Sequence, residues 1–426
     1  MKSLAELKLE NQNLRSLLET NRLLNSPMPL NKLLSLIMNV SKKVMRAEAA
    51  TLMLVDDAAQ ELVYEVALGE KGGQIKKMFR LKLGQGVAGW VAQKGESALI
   101  EDAAKDSRFY SAVDKKSGFK TKSMICVPLK VDEKVIGILQ ALNPVNKKCF
   151  DAADLALFED FAAQAAVALT QARWHESQLQ KQKLNQDLDV AREIQKNFLS
   201  GETFAAEGFH FSACYKPAQT IGGDFYDCVP LDPDRAVILL GDVSGKGISG
   251  ALYMVKTLTE FRNLVWRFYP DLPLIFSSLN RLLQAKATFG MFVTAVGLSI
   301  DRKAGRVRVC NAGHLPPLFY SAKKGKVSLL EKANEPPLGI LKDLSYSAKS
   351  YSIEKGDQFL LYSDGLTEAR NSGQVEFGVS RLKKVFQQSV DFCAENKALP
   401  FILQKVKEFS PGQERDDQTA VLVGIR

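Results

Sequence analysis

A chain of 426 residues, 46% hydrophobic and 25% charged, has room for two to three domains with sizeable cores. No uncharged apolar run approaches the ~18–20 residues of a membrane span. The opening MKSLAELKLENQN also lacks the apolar core of a signal peptide, so the sequence predicts a cytoplasmic protein with no membrane role. The net charge of +9 gathers between Lys71 and Lys122 in short clusters, KKMFRLK and DKKSGFKTK, with no recognition helix or stacking aromatics. That pattern is a solvated basic face and argues against nucleic acid as a partner. Cys126, Cys149, Cys214, Cys228, Cys310 and Cys393 form no CxxC pair, which argues against a zinc site or a disulfide framework.

Residues 1–25 read as a helix whose Leu4, Leu7, Asn11, Leu14 and Leu18 keep heptad spacing. It is either a short parallel coiled-coil contact or a helix capping its own domain, since two heptads alone are too few to hold a dimer. Ser26-Pro27 and Pro29 end it. Residues 26–170 form the next unit: an amphipathic helix LNKLLSLIMNVSKKVM, a hairpin made of TLMLVDD and ELVYEVAL, the strands MICVPLKV and KVIGILQALN, and a helix starting near Asp151. From Ala152 to about Leu199 there is no Gly or Pro, so one long helix is expected, with residues 171–200 as linker. Leu184, Leu188, Ala191 and Gln195 repeat at helical-seam spacing, with Ile194 and Phe198 alongside. They suit a parallel two-helix junction or a solvated spacer.

Residues 201–426 are organised around GGDFYD, CVPLDPDRAVILL and GDVSGKG, which set Asp224, Asp227 and Asp242 around an apolar β-type run. An unpaired buried carboxylate is costly, so aspartates at the edges of such a run, with glycines beside them, suit a hard cation bound through oxygen. Asp364 follows the run QFLLYS, and Asp416 and Asp417 precede TAVLVGI. These aspartates lie too far apart in sequence for one helix or loop to gather, whereas a folded sheet could. The competing reading is that each is an ordinary turn residue. ISGALYMVKTLTEFRNLVW reads as an amphipathic helix, and FVTAVGLSI, GRVRVCNAG and PPLFY as strands.

Two resemblances emerge. GVAGWVA, DAAKDSRF, VPL and IGILQALN, in that order, resemble a GAF domain, which implies a small-molecule sensor with a central antiparallel sheet, or simply a dimerisation module. Asn146, Lys147, Phe150 and Asp154 approximate the signature of cyclic-nucleotide-binding GAF domains, with Leu155 where that signature has Glu. This implies a cyclic nucleotide ligand, or a Lys147–Asp154 pair serving only as a clamp. Trp90, Met124 and Cys126 either line a ligand pocket or belong to the core.

GGDFYD, GDVSGKGISGALYM, CNAGHLPPL, PPLGI, LYSDGLTEA and RDDQT resemble the SpoIIE-like branch of the metal-dependent (PPM) serine/threonine phosphatases related to protein phosphatase 2C, and LNQDLDVAREIQKNFLS resembles the linker that precedes such domains. The combined fold class is α+β: a GAF domain joined by a long helix to an α-β-β-α sandwich. The resemblance implies two Mn²⁺ or Mg²⁺ ions, with Asp242 on both and the Val243 carbonyl on one. Asp224 would take the second ion, and Asp364 with Asp416 or Asp417 the first. Asp416 is preferred because it follows the position that Arg415 fills. Asp224 and Asp242 are thus the catalytic candidates. Paired divalent ions suit phosphate esters because they lower the pKa of a water and neutralise phosphoryl oxygens. No cysteine has the phosphate-loop setting that a cysteine phosphatase needs.

Where many relatives carry a phosphate-gripping arginine this chain has Thr220, and the nearest upstream cation is Lys216. His314 reads as structural, and Asp227 and Glu368 as supporting or surface groups. The implied substrate is a phosphorylated STAS-domain anti-sigma-factor antagonist, and a homodimer is implied through the helices. The alternative is a ligand-dependent interaction module whose phosphatase fold is catalytically silent.

Overall fold

The computed structural model describes residues 26, 28–68, 80–205, 208–285, 290–330, 335–412 and 416–426. The proposed N-terminal seam, part of the basic run and Arg415 lie outside them. The chain divides into two compact units, Met1–Lys183 and Leu184–Arg426.

The first unit opens with α1 (Leu30–Val44), β1 (Ala47–Asp56), β2 (Glu61–Leu68) and β3 (Arg80–Lys82). It continues with α2 (Gly86–Lys94), β4 (Ala98–Ile100), α3 (Ala112–Ser117), β5 (Met124–Val131), β6 (Lys134–Pro144) and the start of α4 (Ala152–Phe198). Its sheet runs β3-β2-β1-β6-β5-β4, antiparallel throughout. α1 forms because Leu33, Leu34, Ile37 and Met38 fall on one face and are all buried. They pack with Phe158, Phe161 and Leu169 of α4 and with strand residues such as Leu52 and Leu139. The other sheet face carries Val87 and Val91 of α2 against Met124 and Cys126. β1 is therefore covered on both sides, which is why it reads as a continuous apolar run instead of alternating.

Met124 and Cys126 are core residues, and burial pushes the Cys126 thiol up to about 12. Trp90 is half-buried, with the Arg108 guanidinium 4.4 Å from its ring centroid. Lys147 bonds Asp151 at 2.7 Å and also pairs with Asp154, while Phe150 and Leu155 pack into the core beside them. The Lys147–Asp154 pair thus clamps the start of α4.

The second unit takes the last turns of α4, then β7 (Thr203–Ala205), β8 (Phe209–Lys216), β9 (Phe225–Asp232) and β10 (Arg235–Val243). Next come α5 (Ile248–Phe268), α6 (Leu272–Ala285), β11 (Val293–Asp301), β12 (Arg306–Ala312), β13 (Leu318–Ser321) and β14 (Lys326–Leu329). β15 (Lys349–Ser352), β16 (Gln358–Tyr362), α7 (Asp364–Thr367), α8 (Gly378–Phe392), α9 (Glu395–Phe409) and β17 (Gln418–Ile425) complete it. One sheet is ordered β15-β12-β11-β10-β9 and the other β14-β13-β16-β17-β8-β7. Phe209, Phe211, Ile238, Leu240, Leu298 and Val421 fill the space between them. Met254, Phe261 and Phe276 cover the outer face of the first sheet, and Leu382, Phe386 and Ile402 that of the second. The result is the expected four-layer α-β-β-α sandwich.

The stretch read as one apolar run around Asp224 and Asp242 is a hairpin. β9 and β10 pair antiparallel, and the DPD sequence makes the turn, where the Asp234 amide donates to Asp232 Oδ1 at 2.9 Å. Asp227 consequently sits inside β9, wholly buried, and is not a surface group.

Candidate metal centre

Four strand ends build the site. Asp224 stands directly before β9 and Asp242 near the end of β10, in one sheet. In the other, Asp364 follows β16 by two residues, and Asp416 and Asp417 stand before β17. Pairing of β16 with β17, extended by the Ser363 amide donating to the Thr419 carbonyl, holds the second set side by side.

The carboxylates feel one another. Asp224 is 1% exposed, and its carboxyl is pushed well above the usual range by burial and then by Asp242. Thr419 Oγ1 donates to its Oδ2 at 2.6 Å. Burial lifts Asp242 to about 7, with further lifts from Asp364, Asp416 and Asp417. Asp364 is raised by burial and then by Asp416. These causes describe a cluster short of positive charge.

The neighbouring pair Asp416 and Asp417 divide their work. Asp417 Oδ1 accepts the Ala218 amide at 2.8 Å, and its Oδ2 accepts the Gly223 amide at 2.8 Å. Asp417 is therefore committed to holding the loop before Asp224. Glycine is required beside it, since a Cβ on Gly222 would lie 2.1 Å from Asp417 Oδ2, and one on Gly365 2.1 Å from the Asp417 carbonyl oxygen. Asp416 instead meets Lys246, whose Nζ lies 3.2 Å from each of its carboxylate oxygens. Val243 is buried at the end of β10, and its carbonyl lies beside Gly223.

A cleft of about 110 Å³ is bordered by Gly222, Gly223, Asp242, Val243, Lys246 and Asp416. A wider one of about 740 Å³, which shares Asp416, is lined by Glu368, Arg370, Asn371 and Gln418 among others. Thr220 and Lys216 line neither cleft. Glu368 is raised by burial and then by Asp364, and so lies at the rim of the cluster. His314 is buried, and its Nε2, 3.2 Å from the Tyr362 carbonyl, can only donate there. That leaves Nδ1 to accept from the Thr294 hydroxyl at 2.9 Å. Burial lowers its pKa to about 4, so this ring is neutral at pH 7 and braces two strands.

Two contacts were not legible in the sequence. Gln195, expected at a helical seam, is 3% exposed and donates from Nε2 to the Gly222 carbonyl at 2.7 Å. Leu184, Val190 and Ile194 on the same helix are exposed. Arg262 of α5 bonds Asp227 at 2.7 and 2.9 Å and donates to the Phe198 carbonyl at 2.6 Å. Ser200 joins the same carboxylate. The end of α4 is thereby tied both to the loop before Asp224 and to α5.

Among the described residues, no group of three or more His, Cys, Asp or Glu side chains stands ready to hold a metal ion. The donor chemistry nevertheless fits a hard divalent cation: carboxylate oxygens, one backbone carbonyl, and burial that leaves negative charge unbalanced.

Both units resemble known families. Residues 232–426 match the family model for stage II sporulation protein E (SpoIIE), and residues 29–169 match that for the GAF domain. The chain is 28% identical over 247 residues to the phosphoserine phosphatase RsbU of Bacillus subtilis, covering 57% of this chain and 71% of RsbU. It is 27% identical over 264 residues to protein IcfG of a Synechocystis species, covering 56% of this chain but 41% of IcfG, so it spans less than half of that relative. The solved PP2C domain of SiaA from Pseudomonas aeruginosa shares the fold, with a TM-score of 0.50 and 22% identity over 58% of this chain and 98% of that domain.

Proposed function

We propose, from the premise that this chain joins a GAF domain to a phosphatase domain of the SpoIIE (PP2C) type, that it is a metal-dependent serine/threonine phosphoprotein phosphatase governed by its GAF domain. The observation that carries this reading is the convergence of Asp224, Asp242, Asp364 and Asp416 from strand ends of both sheets, with the first three pushed up by burial and by their neighbours.

In this reading Asp224, Asp242, Asp364, Asp416 and the Val243 carbonyl would hold two Mn²⁺ or Mg²⁺ ions, Asp242 serving both and the Val243 carbonyl one. Bound there, such ions supply an acidified water and charge neutralisation for a phosphoryl group. The chain's own residues do the rest. Asp417 fixes the Gly222–Gly223 turn through backbone amides, Thr419 orients the Asp224 carboxylate, and neutral His314 keeps the strands beneath in register. Gln195 offers a route by which the linker alters the turn before Asp224, so a signal from the GAF unit has a mechanical path to the site. The domain plan we favour is 26–170, 171–200 and 201–426. Similarity to the phosphoserine phosphatase RsbU supports a phosphoserine substrate; the substrate we favour is a phosphorylated STAS-domain antagonist, and exposed Leu184, Val190 and Ile194 would suit a homodimer contact. The GAF unit would take a small-molecule ligand, of which a cyclic nucleotide is one candidate, or serve as a dimerisation module. The alternative is a ligand-dependent interaction module whose phosphatase fold is catalytically silent, against which the mutually acting Asp224, Asp242, Asp364 and Asp416 argue.

Hydrolysis of a phosphoserine peptide by the full chain decides between them. Turnover with Mn²⁺ is expected, abolished by EDTA and reduced on the order of a thousandfold in Asp242→Asn. Gln195→Ala is expected to lower the melting temperature by only a few degrees, the cost of one buried hydrogen bond, while shifting turnover severalfold at temperatures where the fold is intact. Turnover that survives EDTA, or that Asp242→Asn leaves intact, contradicts the phosphatase reading. Unchanged turnover in Gln195→Ala contradicts the linker path.

A further inference from the structure

The position from which related enzymes grip phosphate with arginine is Thr220, half-buried and outside both clefts. A phosphate monoester dianion still needs a protein donor to fix its orientation. Among the described residues lining the cleft that contains Asp242, Lys246 is the one cation. Arg370, in the wider cleft, is held by Glu376 at 2.7 Å.

Lys246 differs from Arg370 in three respects. Its side chain is 63% exposed, against 40% for Arg370, so substrate reaches it more readily. It sits between Gly245 and Gly247, both at positive φ, on a short loop that starts just after Asp242 and Val243. Its partner is Asp416, one of the carboxylates assigned above to a metal ion. A lysine ammonium is a compact charge on a flexible stem, and an exposed ion pair is weak, so it can exchange one anion for another.

We propose that Lys246 is the phosphate-binding cation of this site, resting on Asp416 in the metal-free protein and passing to the phosphoryl oxygens once Asp416 is engaged by metal. The inference rests on the phosphatase reading. It assigns the loop two states: a closed ion pair that neutralises Asp416, and an extended lysine facing the substrate's anion. Lys246 thereby supplies the positive contact that Thr220 cannot.

The test uses the full chain, inorganic phosphate and Mn²⁺, with Lys246→Gln and Lys246→Arg. Calorimetry in saturating Mn²⁺ is expected to show phosphate binding weakened about tenfold or more in Lys246→Gln and largely restored in Lys246→Arg. Mn²⁺ affinity without phosphate is expected to be equal or tighter in Lys246→Gln, because a competitor for Asp416 is gone. KM for the phosphopeptide should rise in parallel with the phosphate dissociation constant. Phosphate binding unchanged in Lys246→Gln overturns this inference alone, as does Mn²⁺ affinity that falls together with phosphate affinity. Absence of Mn²⁺-dependent phosphate binding in the wild type overturns the phosphatase reading and this inference with it.

Discussion

Asp224→Asn is expected to stabilise the metal-free protein at pH 8 while removing its metal-dependent turnover. Asp224 is almost wholly buried and is pushed above the ordinary carboxylate range by burial and then by Asp242, while Asp242 is raised by burial and then by Asp364, Asp416 and Asp417. A carboxyl whose folded pKa is raised binds protons more tightly in the folded state. The stability it allows is complete below the unfolded value of ~4 and is lost as pH rises through the folded value, about 7 for Asp242. The metal-free protein should therefore weaken between about pH 4 and pH 8. Asparagine keeps an oxygen to accept the Thr419 hydroxyl and removes the charge. A gain of a few degrees in melting temperature is expected at pH 8, shrinking toward pH 5. Saturating Mn²⁺ should reverse the order, since the wild type then gains binding energy that the variant lacks. Thermal melting at pH 5 and pH 8, with and without Mn²⁺, reads all of this. A variant no more stable than wild type at pH 8 would show that the Asp224 charge is already balanced in the metal-free state.

Arg262→Ala is expected to be the most destabilising single change outside the apolar core. Asp227 is 0% exposed, and Arg262 is its bidentate partner. Removing the guanidinium leaves a buried carboxylate without its counter-charge, a loss of about 3–5 kcal/mol. It also frees the Phe198 carbonyl at the end of α4. The melting temperature should fall by roughly 10 °C. The double variant Asp227→Asn with Arg262→Met, which removes both charges and keeps the volume, should recover most of that loss. Equal losses in the single and double variants would mean that packing of the arginine stem, and not the unpaired charge, carries the effect.

Much of this was legible in sequence for identifiable reasons. The helices announced themselves through apolar spacing, as in α1, or through the absence of Gly and Pro, as in the 47-residue α4. The metal-type aspartates stood out because charge at the mouth of an apolar strand is rare without purpose. Partnership across the fold was not legible. Asp227 read as either a supporting or a surface group, because its partner lies 35 residues later on a helix that otherwise reads as amphipathic. Gln195 fitted a seam pattern, yet it bonds the backbone of its own domain, because a helical period shows which face is buried and not what covers it. Asp416 and Asp417 are adjacent in the chain, and only the folded loop shows that Asp417 meets the amides of Ala218 and Gly223 while Asp416 meets a lysine.

Everything functional proposed here depends on whether the clustered carboxylates bind divalent metal. The most direct measurement is calorimetric titration of the full chain with Mn²⁺, comparing wild type with Asp242→Asn at the same pH. Saturable binding in the wild type, lost or greatly weakened in Asp242→Asn, is the expected result. Because the raised carboxyls must give up protons, the wild type should also release protons on binding near pH 6–7. No binding by the wild type, or binding that Asp242→Asn leaves unchanged, would contradict a metal-dependent phosphatase at this site.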